Sequence, residues 1–230
     1  MPLTASQIVS TALQIAKCPG FTQQGGQALN LVLQDLYLIR DLKINRVTSF
    51  INVQANNNGP FNLEPDYLRT YDLFFSQNNL PYFLNPISMK EYDQEFKDPS
   101  IANYPYEFAT DLSPQATGGV GLLYIYPQSS GQITLTHRYM LQQPDIATPE
   151  TSSTIPWFPY TDYLVHATAY RMMRITDDAR HDAFVAEAER MLRPYLINGD
   201  GDEQAVVKFV ALDPRRFHTN RTLKPTKITD

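Results

Sequence analysis

Two different hydrophobic periods divide this chain and confine it to a narrow set of folds. Over residues 4–42, and again over 159–196, apolar residues recur three and four apart. Over about 44–141 they alternate, or gather in short β-branched and aromatic stretches bounded by Asn, Gly and Pro. The first spacing lays an apolar stripe along a helix; the second covers one face of a strand. With helical stretches at the ends, the chain is expected to be α+β. The two ends should form one helical bundle, with an antiparallel β region inserted between them. No internal repeat and no linker interrupts the chain, so one domain is expected over residues 1–207, followed by an extended C-terminal arm over 208–230.

Four helices are expected, at about 4–17, 24–42, 159–176 and 179–196. In the first, Thr4 is a natural N-cap and Gln7 occupies the capping-box position. Ile8, Ala12, Ile15 and Ala16 form its stripe, and Pro19-Gly20 stops it. Leu29, Val32, Leu33, Leu36 and either Ile39 or Arg40 trace the buried face of the second. A Pro-Gly turn should join the two as an αα-hairpin. Pro159 suits the first turn of the third helix, whose stripe is Leu164, Val165, Thr168, Met172 and Ile175. Asp177 or Asp178 suits the cap of the fourth, where Phe184, Ala188, Met191, Leu192 and Tyr195 share a face and Pro194 marks the end.

In the middle, "NRVTSFINVQ" reads as a strand, "NNNGP" as a turn and "FNLEP" as its short returning partner. A strand pair is expected around Asn78-Asn79, a short helix over "MKEYDQEF" ended by Asp98-Pro99, and a strand over "YPYEFATDL". The strongest hairpin signal joins "GGVGLLYIYP" to "ITLTHRYML" through "PQSSGQ". In its second strand Ile133, Leu135, His137 and Tyr139 share one face, opposite Thr134, Thr136 and Arg138. A long Pro/Ser/Thr-rich loop follows. After Asn198–Gly201, "EQAVVKFVALDPRRF" has the composition of an extended strand, and the last fifteen residues show no periodicity.

Charge separates the body from its end. The net charge is −5, yet from Lys208 onward six basic and two acidic residues give +4, leaving −9 for residues 1–207. A basic arm on an acidic body is built to associate. Charged residues are 19% of the chain and tyrosines number 14, a balance that fits extensive contact surface. The single cysteine, Cys18, rules out an internal disulfide framework and a CxxC metal knuckle. No signal peptide is apparent and no apolar run reaches the ~20 residues of a membrane span, so synthesis in the cytoplasm and no membrane partner are expected.

No catalytic pattern emerges. His137, His166, His181 and His218 include no pair at helical spacing and no HExxH. His137 lies on an apolar strand face and reads as a structural histidine. "NGDGDE" resembles a calcium loop only locally, because the twelfth position from Asp200 is Ala211 and not a bidentate Glu. "GGVG" precedes a strand and lacks the P-loop lysine, so it reads as a turn. Cys18, near a helix C-terminus, is poorly placed for a thiolate. No GxSxG elbow is present. Glu64 and Asp66 are the sort of pair a glycosidase would use, but a solvated turn explains them as well. The basic tail is suited to a DNA backbone contact and not to reading bases.

The stretch "IPWFPYTDYLVHATAYRMMRITDD" ties these strands of reasoning together. Two prolines fix the backbone around Trp157 and Phe158, and an apolar residue before a helix staples to its first turn. This is a docking knuckle ahead of a packing helix. The stretch, the following "TDDARHDAFVAEAERMLRPY", the extended "VKFVALDPRRF", and the openings "TASQIVSTALQIA" and "LVLQDLY" together resemble the head-to-tail adaptor (connector) proteins of short-tailed bacteriophages. The similarity covers about residues 4–42 and 155–217. It implies a structural virion protein without enzymatic activity or cofactor, assembled as a ring, commonly a dodecamer, below the portal. The implied partners are the portal protein, neighbouring copies of itself, a downstream nozzle or tail-hub protein, and genomic DNA passing through the channel without sequence recognition. On that reading Trp157, Phe158, Arg215, Arg216, Phe217, Arg221 and Lys224 are the expected interface residues. Two alternatives carry different expectations: a virion-associated cell-wall hydrolase using carboxylates would need a carboxylate pair across a cleft, and a β-rich spike module would need strand repeats and few helices.

Overall fold

The computed structural model describes residues 2–39, 42–95 and 102–196. The chain is α+β and divides into two compact units, one from Met1–Gln34 with Asp145 onward, the other from Asp35–Pro144. The C-terminal arm, the terminator at Asn198–Gly201 and the Asp98-Pro99 stop lie outside the described residues.

In the first unit the two chain ends meet as expected. Helix α1 (Ala5–Ile15) packs on α4 (Thr161–Ile175), and α4 packs on α5 (His181–Pro194). Helix α2 (Thr22–Ile39) crosses α1 closely at Gly25, where a Cβ would stand 3.0 Å from Val9 Cγ1 and 3.1 Å from a Leu13 methyl. The start of α1 is fully paired. The Thr4 hydroxyl accepts from the Gln7 amide and the Gln7 side chain accepts from the Thr4 amide. The Ala5 and Ser6 amides donate to the carbonyls of Thr154 and Ser152 in the long loop. Thus the loop supplies acceptors that a helix N-terminus otherwise lacks. The same loop is held to α2 by Asn30, whose side chain both donates to and accepts from the Ile146 backbone, and by Gln34 donating to the Asp145 carboxylate.

Helix α1 stops earlier than its Pro-Gly signal. Lys17 takes a left-handed φ of 57°, and the amides of Lys17 and Cys18 turn back to the carbonyls of Gln14 and Leu13. This is a Schellman end without glycine. Helix α4 ends the same way, with Asp177 at φ 51° and the Asp178 amide donating to Met173. Neither aspartate caps α5: the cap position is Arg180, and Asp178 instead accepts from the Arg180 amide at 2.9 Å. Two stripe assignments also change. Ile39 and Ile175 are 68% and 60% exposed, each in the last turn of its helix; Arg40, the alternative to Ile39, lies outside the described residues. Pro159 lies before the cap, Tyr160, and not in the first turn.

The second unit is a two-sheet sandwich. One sheet has the order β1-β10-β3-β4, from β1 (Arg46–Val53), β3 (Tyr67–Gln77), β4 (Leu80–Phe83) and β10 (Ile133–Leu141). The other has the order β2-β8-β7-β5, from β2 (Phe61–Asn62), β5 (Asn85–Pro86), β7 (Glu107–Asp111) and β8 (Leu122–Tyr126). A small parallel pair joins β6 (Ala102–Asn103) to β9 (Gln128–Ser129), and α3 (Met89–Glu95) packs near β7. The expected turn at Asn78-Asn79 is present, with both residues at positive φ, as a two-residue hairpin requires. The core between the sheets is built from Val53, Leu73, Phe75, Phe108, Leu123, Ile125, Leu135 and their neighbours.

Two expected pairings are corrected. Strand β8 does not form a hairpin with β10, because the chain changes sheets between them. Nine-residue β10 instead pairs with β1 and β3, of eight and eleven residues, while five-residue β8 pairs with five-residue β7. The segment between β8 and β10 is not a free turn: Gln128–Ser129 within it forms β9 and pairs with β6. The partner of β2 is likewise β8 and not β1.

Candidate interface surfaces

The residues around Trp157 divide into a buried and a partly open half. Phe158 is fully buried, with its ring edge-on to Tyr195 at 4.8 Å and to Tyr163 at 5.7 Å. It has no surface to give to a neighbour, so the expectation of an interface role is corrected: Phe158 staples α4 and α5 of its own chain. Trp157 is half-buried against Phe158. Its indole N–H is buried with no hydrogen-bond partner among the described residues. Arg215, Arg216, Phe217, Arg221 and Lys224 lie outside the described residues.

The Asp-Asp-x-Arg sequence closes the α4–α5 turn. Both Asp178 carboxylate oxygens accept from the Arg180 guanidinium, at distances from 2.6 to 3.1 Å. A further N–H of Arg180 reaches the Ile15 carbonyl at 3.1 Å, one of the carbonyls that the end of α1 leaves without a helical partner. The guanidinium beside it holds the Asp178 carboxyl down at about 2. This motif is a clamp on the end of α1.

The outer face of the β1-β10-β3-β4 sheet carries an aromatic row that the sequence reading missed. The register places Phe50 opposite Thr136, Thr136 opposite Phe74, and Phe74 opposite Phe83. Phe50 and Phe83 are 68% and 57% exposed. The rings of Phe74 and Phe83 lie 5.1 Å apart, and the Arg138 guanidinium sits 5.0 Å from the Phe74 centroid while pairing with Asp72 at 3.2 Å. Consecutive phenylalanines in a strand must face opposite ways, so "FF" at 74–75 was the signal that one ring points outward. Exposed aromatics in a row, beside an arginine, have the composition of a contact surface.

Sites of chemistry are sparse. His137 is buried, with Nε2 3.1 Å from the Thr70 hydroxyl and its ring stacked on Tyr139 at 5.2 Å and tilted against Tyr67 at 5.6 Å. Burial pushes its pKa down to about 4, so it is neutral near pH 7. The Asp66 carboxylate accepts from the Tyr139 hydroxyl at 3.0 Å, and burial followed by that bond raises the tyrosine pKa. Asp66 is therefore tied to the core, which separates it from Glu64 in role. Among the described residues no group of three or more His, Cys, Asp or Glu side chains is placed to hold a metal. No helix among them is long and apolar enough to cross a membrane.

The sequence matches the SU10 adaptor protein family over residues 3–208. The chain belongs to that family. No curated protein matches it. Membership makes this SU10-type adaptor a bacteriophage structural protein of the head–tail junction, in agreement with the resemblance carried by its helical ends. The match spans both compact units, so the β sandwich belongs to the adaptor as much as the helices that carried the resemblance.

Proposed function

We propose that this adaptor assembles as a ring, of twelve copies, between the portal and the next tail component, and that its bore continues the DNA channel. On this reading residues 1–207 act as one adaptor domain and 208–230 as an arm. Genomic DNA passes without sequence recognition, and the protein works by binding, without a cofactor or a catalytic step. It resides in the virion after synthesis in the host cytoplasm. The observation that carries the reading is the family match over residues 3–208. Support comes from surface chemistry: a closed ring needs two different complementary patches on each subunit. The aromatic row at Phe50, Phe74 and Phe83 offers one, and the basic segment with Arg215, Arg216, Phe217, Arg221 and Lys224 offers another. Trp157 joins them as a contact through the half of its ring that its own chain leaves open.

The test is native mass spectrometry of the full chain mixed with the portal protein of the same phage. A ring added stoichiometrically to the portal is expected, and its mass reads the copy number. Absence of any complex, with the protein monomeric, sinks the reading. Truncation after Asp213 separates the arm from the ring: the shortened chain should keep its circular dichroism spectrum and fail to join. If it joins normally, the arm assignment is wrong although the ring stands.

A further inference from the structure

A groove of about 370 Å³ in the β unit is lined by Ser49–Asn52 on one wall, Pro60–Glu64 on the other, and His137 at its base. Successive strand residues point to opposite faces of a sheet. A cavity touching four consecutive residues of β1, and five around β2, therefore runs along the strand edges, and reaches the inner face of the sheet at His137, opposite Ser49. Both strands are edges: β1 ends one sheet and β2 ends the other. Strand β1 pairs with β10 alone, and no backbone hydrogen bond among the described residues reaches its far side. In an antiparallel ladder every second residue turns its N–H and C=O away from the partner, so half of β1 presents unpaired backbone to this groove. Such an edge pairs readily with another strand, and proteins normally blunt it with charge, proline or a cover. Among Val47–Val53 there is neither charge nor proline.

We propose that this groove accepts an added β-strand, and that its occupant is residues 205–212 of the same sequence, "AVVKFVAL". The segment has the strand composition already noted, and an isolated strand needs an edge to complete its hydrogen bonds. Its eight residues match eight-residue β1, whereas the other sheet-end strands, β4, β2 and β5, have four, two and two. Charge agrees: Lys208 is the one charged residue of the segment, and Glu64 is the one carboxylate lining the groove. The Glu64 carboxylate forms no ion pair among the described residues. The buried Nδ1 of His137 has no hydrogen-bond partner, and a polar group brought into the groove would supply one. The proposal gives the arm of the adaptor reading its seat, and rests on that reading only for which copy supplies the strand.

The experiment is amide hydrogen exchange on the full-length protein, comparing wild type with Lys208→Pro and Phe209→Pro. The two positions are adjacent, so one of them removes an N–H that points at β1 in any register. Exchange in peptides covering Val47–Val53 should speed up roughly tenfold in at least one variant, the effect of losing one or two ladder hydrogen bonds. Thr226→Pro, beyond the segment, should leave it unchanged. Circular dichroism of all three should match wild type, since a proline at one position of an edge strand leaves the helices and the core between the sheets in place. Protection of β1 that fades on dilution assigns the strand to a neighbouring copy; protection independent of concentration assigns it to the same chain. Unaltered β1 exchange in both proline variants overturns the proposal. No portal is present, so this failure is distinct from failure of ring assembly.

Discussion

His137 should make the adaptor sensitive to mild acid. In the folded chain burial lowers its pKa to about 4, while the unfolded chain titrates near the ordinary 6.5. The unfolded state therefore binds the extra proton first as pH falls. Stability from the neutral ring is complete above the unfolded pKa and is lost progressively as pH drops toward the folded value. Linkage from these two pKa values gives a loss of about 2 kcal/mol by pH 5 and about 3 kcal/mol by pH 4. In a chain of this size that is a fall in melting temperature of roughly 4–8 °C by pH 5. The window from pH 7 to 5 is the informative one, because ordinary carboxylates change little there. The assay is urea unfolding by circular dichroism at several pH values, wild type against His137→Gln, which has no titrating ring. The variant is expected to start less stable, through loss of the ring contacts with Tyr139 and Tyr67, and to show a shallower pH slope. Histidine NMR gives a direct check, with the His137 ring resonances unchanged down to about pH 5. Equal slopes for the two proteins, or a ring that titrates near 6.5, would refute the reasoning.

Phe158→Ala should cost about 3–5 kcal/mol, the usual range for emptying a buried aromatic site. The change is readable in the emission of Trp157, whose ring sits 5.7 Å from it. Arg180→Ala should lower the melting temperature, because the Ile15 carbonyl loses its donor and Asp178 its partner. Arg180→Lys should recover only part of the loss, since an ammonium cannot make the forked contacts. The Cys18 thiol is buried, and burial raises its pKa. Thiol labelling near neutral pH should therefore follow unfolding and not precede it. Phe50→Ser with Phe83→Ser should change monomer stability little, both rings being mostly exposed, yet weaken self-association measured by sedimentation; unchanged association would remove the aromatic row from the interface.

Much of the fold was legible because its signals are local. The capping box at Thr4 and Gln7, the Asn78-Asn79 turn and the period-two face of Ile133, Leu135, His137 and Tyr139 depend only on neighbours a few residues away. The errors arose where distant partners decide. A six-residue turn made β8 and β10 look like a hairpin, but β9 within it pairs with the distant β6 and the chain crosses to the other sheet. Ile39 and Ile175 fit their stripes by spacing, yet each falls in the last turn of its helix and is exposed. Lys17 and Asp177 end helices in a conformation usually left to glycine, which residue type alone does not announce.

The candidate site was less legible than the fold for a related reason. The motifs behind the family resemblance serve the chain's own packing: Asp178 and Arg180 clamp the end of α1, and Phe158 staples two helices. These residues are constrained by the fold, so they leave patterns that recur along the sequence. A surface that meets a partner has no such intrachain constraint. Phe50 differs from a core phenylalanine only in which side of the sheet the second sheet covers, and that is decided some seventy residues further along the chain, at β8. The edge of β1 is invisible for the same reason, since a strand reads alike whether it has one neighbour or two. Where a sequence spells out its core in this detail, the apolar residues and strand edges left over after the core is complete are the places where the partner's contribution enters.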